Sequence, residues 1–268
     1  MSHDVSKRPK FFLSKWYFDC VSDDGEAFIG YSAEMRWRTL SIDYTSTLHY
    51  RRNRKVRAAT SLRKIAPPRV KDSYLQWGSS HLAVIGKWIP ITQPIERTLV
   101  ESEAGNIEWN CLQPNAIAEI AVDNYRIEGS GYVDHVTMTI PPWQLPFNQL
   151  RWGRFHAHCD SLVWLDWQGE NEINLAFHNG ALVDSLVIDA HRLRTRDISL
   201  ELDTGDVLRE GPLLRTALAK VPGIDKVFPE SLLHTYECKR LSRGMLRTSS
   251  MTEQPGWAIH EAVCFGKK

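Results

Sequence analysis

Along most of this chain, apolar and polar residues alternate with a period of two. That is the repeat of a strand with one face in a core. "KWYFDCV" (15–21) and "EAFIGYSAEMRW" (26–37) flank "SDDG", a hairpin turn signal, and "LSIDYTSTLHY" (40–50) continues the meander. "HLAVIGKWI" (81–89) and "TLVESEAGNIEWNCL" (98–112) read as further strands with Gly-centred turns. "AIAEIAVDNYRIEGSGYVDHVTM" (116–138) reads as two long strands around Gly129 and Gly131.

The Pro-dense stretch "PPWQLP" (141–146) then interrupts the pattern and marks a boundary. Beyond it, "LRWGRFHAHCDSLVWLDWQ" (150–168), "EINLAF" (172–177) and "ALVDSLVID" (181–189) resume the alternation, with Asn179-Gly180 as a tight-turn signal. "RDISLEL" (196–202), "HTYECKRL" (234–241) and "GWAIHEAVCFG" (256–266) complete it. One helix candidate stands out, "PLLRTALAKV" (212–221), with Pro at its first position and "PG" as a stop. The pattern predicts an all-β protein with one short helix in its second half. Its two β-rich domains are residues 1–140 and 147–268.

Composition narrows the function. The 268 residues carry a net charge of +1 and are 43% hydrophobic. That balance gives no reason to expect nucleic acid as a partner. No stretch approaches the 18 or so apolar residues of a membrane-crossing helix. The N-terminal residues contain no apolar segment of signal-peptide length. Five cysteines, odd in number and without a C-x-x-C pair, read as reduced thiols in a cytoplasmic protein. Ten tryptophans suit either a pocket for a hydrophobic molecule or a β-protein core. "RRNRKVRAATSLRKIAPPRVK" (51–71) holds nine Lys/Arg and no acid. It reads as a solvated connection, with peripheral contact to anionic groups as the other reading.

Few motifs carry chemistry. Phosphate-loop, dinucleotide, nucleophile-elbow and zinc-protease signatures are absent from the sequence. "HAHCD" places His156, His158 and Asp160 at alternate positions, on one face if the segment is a strand. With no recognisable further ligand, neither a metal nor any other cofactor is expected. Same-face neighbours Trp152, Arg154 and Trp164 suggest a polar-aromatic wall. In "GSGYVDHVTMTI" (129–140), parity groups Tyr132, Asp134, Val136 and Met138 on one face and Val133, His135 and Thr137 on the other. A carboxyl facing an apolar cavity has its charged form disfavoured and can act as a general acid near neutral pH. The alternative is a structural ion pair between Asp134 and an Arg such as Arg154.

"GSGYVDH" followed by "LRWGRF", together with "KWYFDCVSDDGEAFIGY" at the start and "GWAIHEAVCFG" at the end, resembles the lipocalin-like carotenoid 1,2-hydratases (hydroxyneurosporene synthases). It also resembles their AttH-type relatives and the related natural-product cyclases. The resemblance implies two lipocalin-like (calycin-like) β-barrels packed side by side around a hydrophobic site. It implies cofactor-independent protonation, hydration, isomerisation or cyclisation of a polyene or isoprenoid-like molecule. Carried onto this chain, Asp134, His135 and Tyr132 become the catalytic candidates. Trp152, Arg154, His156, Trp164, Met138 and Trp257 become the substrate-binding ones. Where that family commonly continues Asp-His with Asn-Trp-Gly, this chain has Val136, Thr137 and Met138, which gives the cavity flexible apolar volume instead. The rival function is a non-catalytic carrier of a hydrophobic small molecule.

Overall fold

The structure is a computed structural model that describes residues 10–71, 73–213, 233–249 and 253–266. Its strands fall into two antiparallel sheets of ten. The first comprises β1 (Phe11–Val21), β2 (Ala27–Trp37), β3 (Leu40–Tyr50), β4 (Arg57–Ser61), β5 (Arg69–Lys71), β6 (Tyr74–Ser79), β7 (Val84–Pro90), β8 (Ile95–Ser102), β9 (Gly105–Val122) and β10 (Tyr125–Met138). The second comprises β11 (Phe147–Ala157), β12 (Ser161–Gly169), β13 (Ile173–His178), β14 (Ala181–Val183), β15 (Ser185–Ile188), β16 (Arg192–Thr195), β17 (Ile198–Leu202), β18 (Asp206–Pro212), β19 (Tyr236–Thr248) and β20 (Glu253–Cys264). Residues 139–146, with a 3-10 turn at Pro142–Gln144, carry the chain from one sheet to the other.

The strand orders are the same. The first sheet runs β4-β3-β2-β1-β10-β9-β7-β6-β5 with β8 on β9, and the second runs β14-β13-β12-β11-β20-β19-β17-β16-β15 with β18 on β19. Adding ten to each label converts one half into the other, so the molecule is a tandem repeat of one topology. Each sheet curls until its distant strands meet: β4 touches the 3-10 turn Ser80–Leu82, and β13 meets β15. The alternation predicts an all-β chain in two halves, and the two curled sheets are the lipocalin-like pair that the family resemblance implies.

Three layers of core follow from the period of two. Phe18, Phe28, Trp77, Trp88 and Val133 fill the first curled sheet. Phe155, Leu162, Trp164 and Leu246 fill the second. The opposite faces of both sheets meet in a seam containing Tyr17, Tyr31, Trp109, Tyr132, Trp152, Val163 and Ile259.

Several sequence expectations are corrected. Gly129 and Gly131 do not make a turn: β10 runs through both, and the turn lies at Asp123-Asn124, where Asp123 takes a left-handed φ of 51°. Gly131 is instead a close-approach glycine. A Cβ there would sit 2.6 Å from the Ala118 methyl and 2.8 Å from the Trp88 ring. The stretch 150–168 is a hairpin rather than one strand, because β11 ends at Ala157, whose N–H donates to the Asp160 carbonyl. The helix candidate at 212–221 lies, beyond Leu213, outside the described residues. In the basic stretch 51–71 every Lys and Arg except Arg51 is exposed. Charge on the edge strands β4 and β5 discourages pairing with another sheet.

Candidate functional site

The seam is lined by residues from the two central strands of each sheet. On β1, Lys15, Tyr17 and Asp19 share a face. On β10, Tyr132, Asp134 and Val136 share the matching face, with Tyr17 opposite Asp134 and Asp19 opposite Tyr132. The second half repeats the plan: Trp152 lies opposite Glu261, and Arg154 opposite Ile259. The repeat therefore sets one carboxyl group at the equivalent place in each half, Asp134 on β10 and Glu261 on β20, beside an aromatic residue of the first strand.

Asp134 is 6% exposed. Its Oδ2 accepts hydrogen bonds from the Tyr132 hydroxyl at 2.9 Å and from the Trp109 indole N–H at 3.2 Å. Both donors use one oxygen, and Oδ1 has no hydrogen-bond partner among the described residues. Burial pushes the Asp134 pKa up to about 6, against the opposite pull of the Lys15 charge and the Tyr132 and Trp109 donors. Glu261 goes the other way. It pairs with Lys239, and despite its burial the charges of Lys239, Lys15 and Arg209 hold its pKa down at about 2. Two equivalently placed carboxyl groups thus titrate in different ranges, Asp134 near 6 and Glu261 near 2. Environments that push two carboxyl groups apart in this way are what separate acid from anion where two carboxyl groups share a site.

Aromatic rings close around this pair. Tyr17 packs edge-on against Trp152 at 5.0 Å and against Tyr31 at 5.4 Å, and Tyr132 packs on Trp152 at 5.3 Å. The Lys239 ammonium, 1% exposed, lies 5.1 Å from the Tyr17 ring centre and 5.0 Å from that of Trp152. The Trp152 indole N–H is buried without a hydrogen-bond acceptor among the described residues. Arg209 binds Glu237 at 2.7 Å and reaches the Tyr31 hydroxyl at 3.3 Å. Toward one end of the seam, partly buried Met35, Trp37, Leu99, Val136, Leu150 and Trp167 pack against the same cluster. At the other end a groove of about 760 Å³ is bordered by Val21, Ser130, His156, His158, Arg243 and Trp257.

The candidates named from sequence are thus divided. Tyr132, Asp134 and Trp152 come together. His135 does not join them: it is on the opposite face of β10, stacked on Trp16 at 4.2 Å and bonded to Ser14 at 2.8 Å. Arg154 does not pair with Asp134. It grips Asp19 instead, with both residues fully buried. Trp164 is not in a wall with Trp152, since it lies opposite Gly153 on β11 and fills the second barrel. Gly153 has no side chain because the Trp164 ring lies 2.2 Å from where its Cβ would be.

The remaining candidates sit at the two ends of the seam. The His156 Nε2–H donates to the Pro114 carbonyl at 2.8 Å, tying the sheets together at the groove end, and Trp257 donates to the Asp23 carbonyl. Met138 packs at the other end with Phe11 and Ile107. His158 and Asp160 fall in the β11–β12 turn, where Asp160 engages His178 and Asn179, so the three alternate positions of "HAHCD" do not share a strand face. Among the described residues, no group of three or more His, Cys, Asp or Glu is placed to hold a metal ion.

The residues missed from sequence are Lys15, Tyr17, Asp19, Trp109, Lys239 and Glu261. One signal was available. "KWYFD" and "AIHEAV" each place a charge on a strand whose neighbours at both parities are apolar, so neither face can be wholly solvent-facing.

Two lipocalin-like curled sheets with a polar-aromatic seam define the class of architecture. No family model matches the chain, and no curated protein matches it in sequence. Solved structures match in fold. The crystal structure of CghA superposes with a TM-score of 0.59 at 11% identity over 97% of this chain and 90% of that one. Kievitone hydratase from Nectria haematococca gives 0.53 at 11% identity, covering 96% and 89%. An AttH-like protein from Nitrosomonas europaea gives 0.53 at 6%, covering 94% and 92%. The likeness covers nearly the whole chain and is one of fold. No helix among the described residues is long and apolar enough to cross a membrane.

Proposed function

We propose that this protein is a cofactor-independent enzyme that protonates a hydrophobic small molecule held in the seam, leading to hydration, isomerisation or cyclisation. The observation that carries this reading is Asp134, a buried carboxyl group whose pKa is pushed to about 6 and whose Oδ2 is occupied by Tyr132 and Trp109. Oδ1 is then the oxygen that presents the proton. Transfer to a substrate carbon leaves the carboxylate stabilised by the same two donors, which strengthen as charge develops. Water addition with loss of a proton from the added water, or loss of a different substrate proton directly or after ring closure, completes the reaction and returns a proton to Asp134. Tyr17, Trp152 and the apolar side chains around Val136 hold the substrate in a reactive shape. One fold neighbour, kievitone hydratase, is a hydratase, which supports this class of reaction.

A carrier of a hydrophobic ligand would use the same aromatic surface but has no need of a carboxyl group kept near its protonated form. The test is incubation of the purified protein with polyene and isoprenoid-like candidates in deuterated water, with mass spectrometry as the readout. Deuterium incorporation or water addition that disappears in Asp134→Asn is expected. Conversion unchanged in that variant would refute the assignment of Asp134 as the acid.

A further inference from the structure

Charges in the seam pair off, with one remainder. Arg154 is bound to Asp19, Arg209 to Glu237 and Lys239 to Glu261. Lys15 has no carboxylate within ion-pairing distance among the described residues. It is half-buried, on the same face as Tyr17 and directly opposite Val136 in the β1–β10 ladder, one position along from Asp134. Its ammonium lies 5.5 Å from the Tyr31 ring centre. Of the charged groups around Asp134, Lys15 acts on it most strongly. When Asp134 carries its proton, the carboxylate nearest in influence to Lys15 is Glu261, whose direct ion pair is with Lys239, so Lys15 is left without a carboxylate of its own.

An unpaired ammonium there penalises a substrate that gains a free positive charge and favours one that carries negative charge on oxygen. We propose that Lys15 anchors the substrate, and that the substrate class is an apolar skeleton bearing an anionic oxygen (an enolate, phenolate or carboxylate) rather than a plain hydrocarbon. This rests on the reading of the seam as a site for a hydrophobic molecule. The oxygen docks on the Lys15 ammonium, and the carbon to be protonated faces Asp134.

The test uses two fluorescent probes of similar aromatic framework, anionic 8-anilinonaphthalene-1-sulfonate and neutral N-phenyl-1-naphthylamine, titrated against the full-length protein. Val136→Trp, which adds bulk directly opposite Lys15 on the seam face, is expected to displace both. Lys15→Met is expected to weaken the anionic probe ~10-fold or more, the scale of one charge-assisted hydrogen bond, and to leave the neutral probe unchanged. Lys15→Arg should restore the anion. Retained neutral-probe binding shows that Lys15→Met is folded. Should Lys15→Met fail to fold, Lys15→Gln, which keeps the polar stem, is read the same way. Equal affinity of the anionic probe for wild type and Lys15→Met would overturn the anchor while leaving the seam site standing. Failure of both probes to bind wild type, or binding insensitive to Val136→Trp, would overturn the seam site and the anchor with it.

Discussion

Arg154 reaches from β11 across the seam and holds Asp19 of β1 through two hydrogen bonds, Nη2 to Oδ1 at 2.7 Å and Nε to Oδ2 at 3.1 Å. This bidentate pair joins the first strand of one half to the first strand of the other. Tyr17 adds a third bond to Asp19 at 3.1 Å, and Trp88 donates to the Asp19 carbonyl at 2.7 Å. The pair therefore sets the spacing of the sheets on either side of Asp134. Removing one member leaves a buried charge without its partner. Arg154→Met or Asp19→Asn is expected to destabilise the protein by about 3–5 kcal/mol, read as a lower urea midpoint. The double variant should recover part of that loss, and additive losses would show that the two side chains act independently.

Asp134→Asn preserves shape and removes the transferable proton. Turnover of a converted substrate is expected to fall ~10²–10⁴-fold, the usual contribution of a general acid, with the circular dichroism spectrum unchanged. A loss confined to thermal stability, with normal turnover by the surviving protein, would assign Asp134 a structural role.

The pKa of Asp134 also predicts how stability varies with pH. Its folded value, about 6, is above that of an ordinary Asp. The folded state therefore holds the proton more tightly than the unfolded state does. That contribution is fully present below the unfolded pKa and is lost as pH rises through about 6. Between pH 4 and 7 the wild type should lose up to about 3 kcal/mol relative to Asp134→Asn, which does not titrate. Chemical denaturation of both proteins across that range would measure the difference. A constant gap would contradict a buried, proton-retaining Asp134. Activity that depends on the acid should decline over the same interval.

Tyr132 acts through Asp134. Its hydroxyl stabilises the carboxylate, so Tyr132→Phe should raise the Asp134 pKa further, by about one unit, and move the falling limb of the pH–rate profile upward by the same amount. An unshifted profile with reduced stability would reduce Tyr132 to a packing residue.

Gly131 faces the Trp88 ring and the Ala118 methyl with no room for a side chain. Gly131→Val should cost about 1–3 kcal/mol through forced displacement of Trp88 and weakening of its bond to the Asp19 carbonyl, again read from the urea midpoint. Gly131→Ala should cost less.

The fold was legible in the sequence because a period of two is a local property. "FIGYSAEM" and "AIHEAV" declare strands wherever they fall, and three prolines in 141–146 interrupt them. Strand parity likewise put Asp134 with Tyr132 and Val136 and apart from His135. Tertiary structure decided which polar groups on those strands meet. Asp19 and Arg154 are 135 residues apart, and nothing local distinguishes Arg154 from a partner for Asp134. Only the stacking of two repeats, with β1 facing β11, makes Asp19 its partner. The same stacking buries Asp134 and surrounds Glu261 with Lys239, Lys15 and Arg209, so that one carboxyl group is driven toward its acid and the other toward its anion. Burial and charge proximity are sums over residues distant in sequence, whereas alternation is written between neighbours.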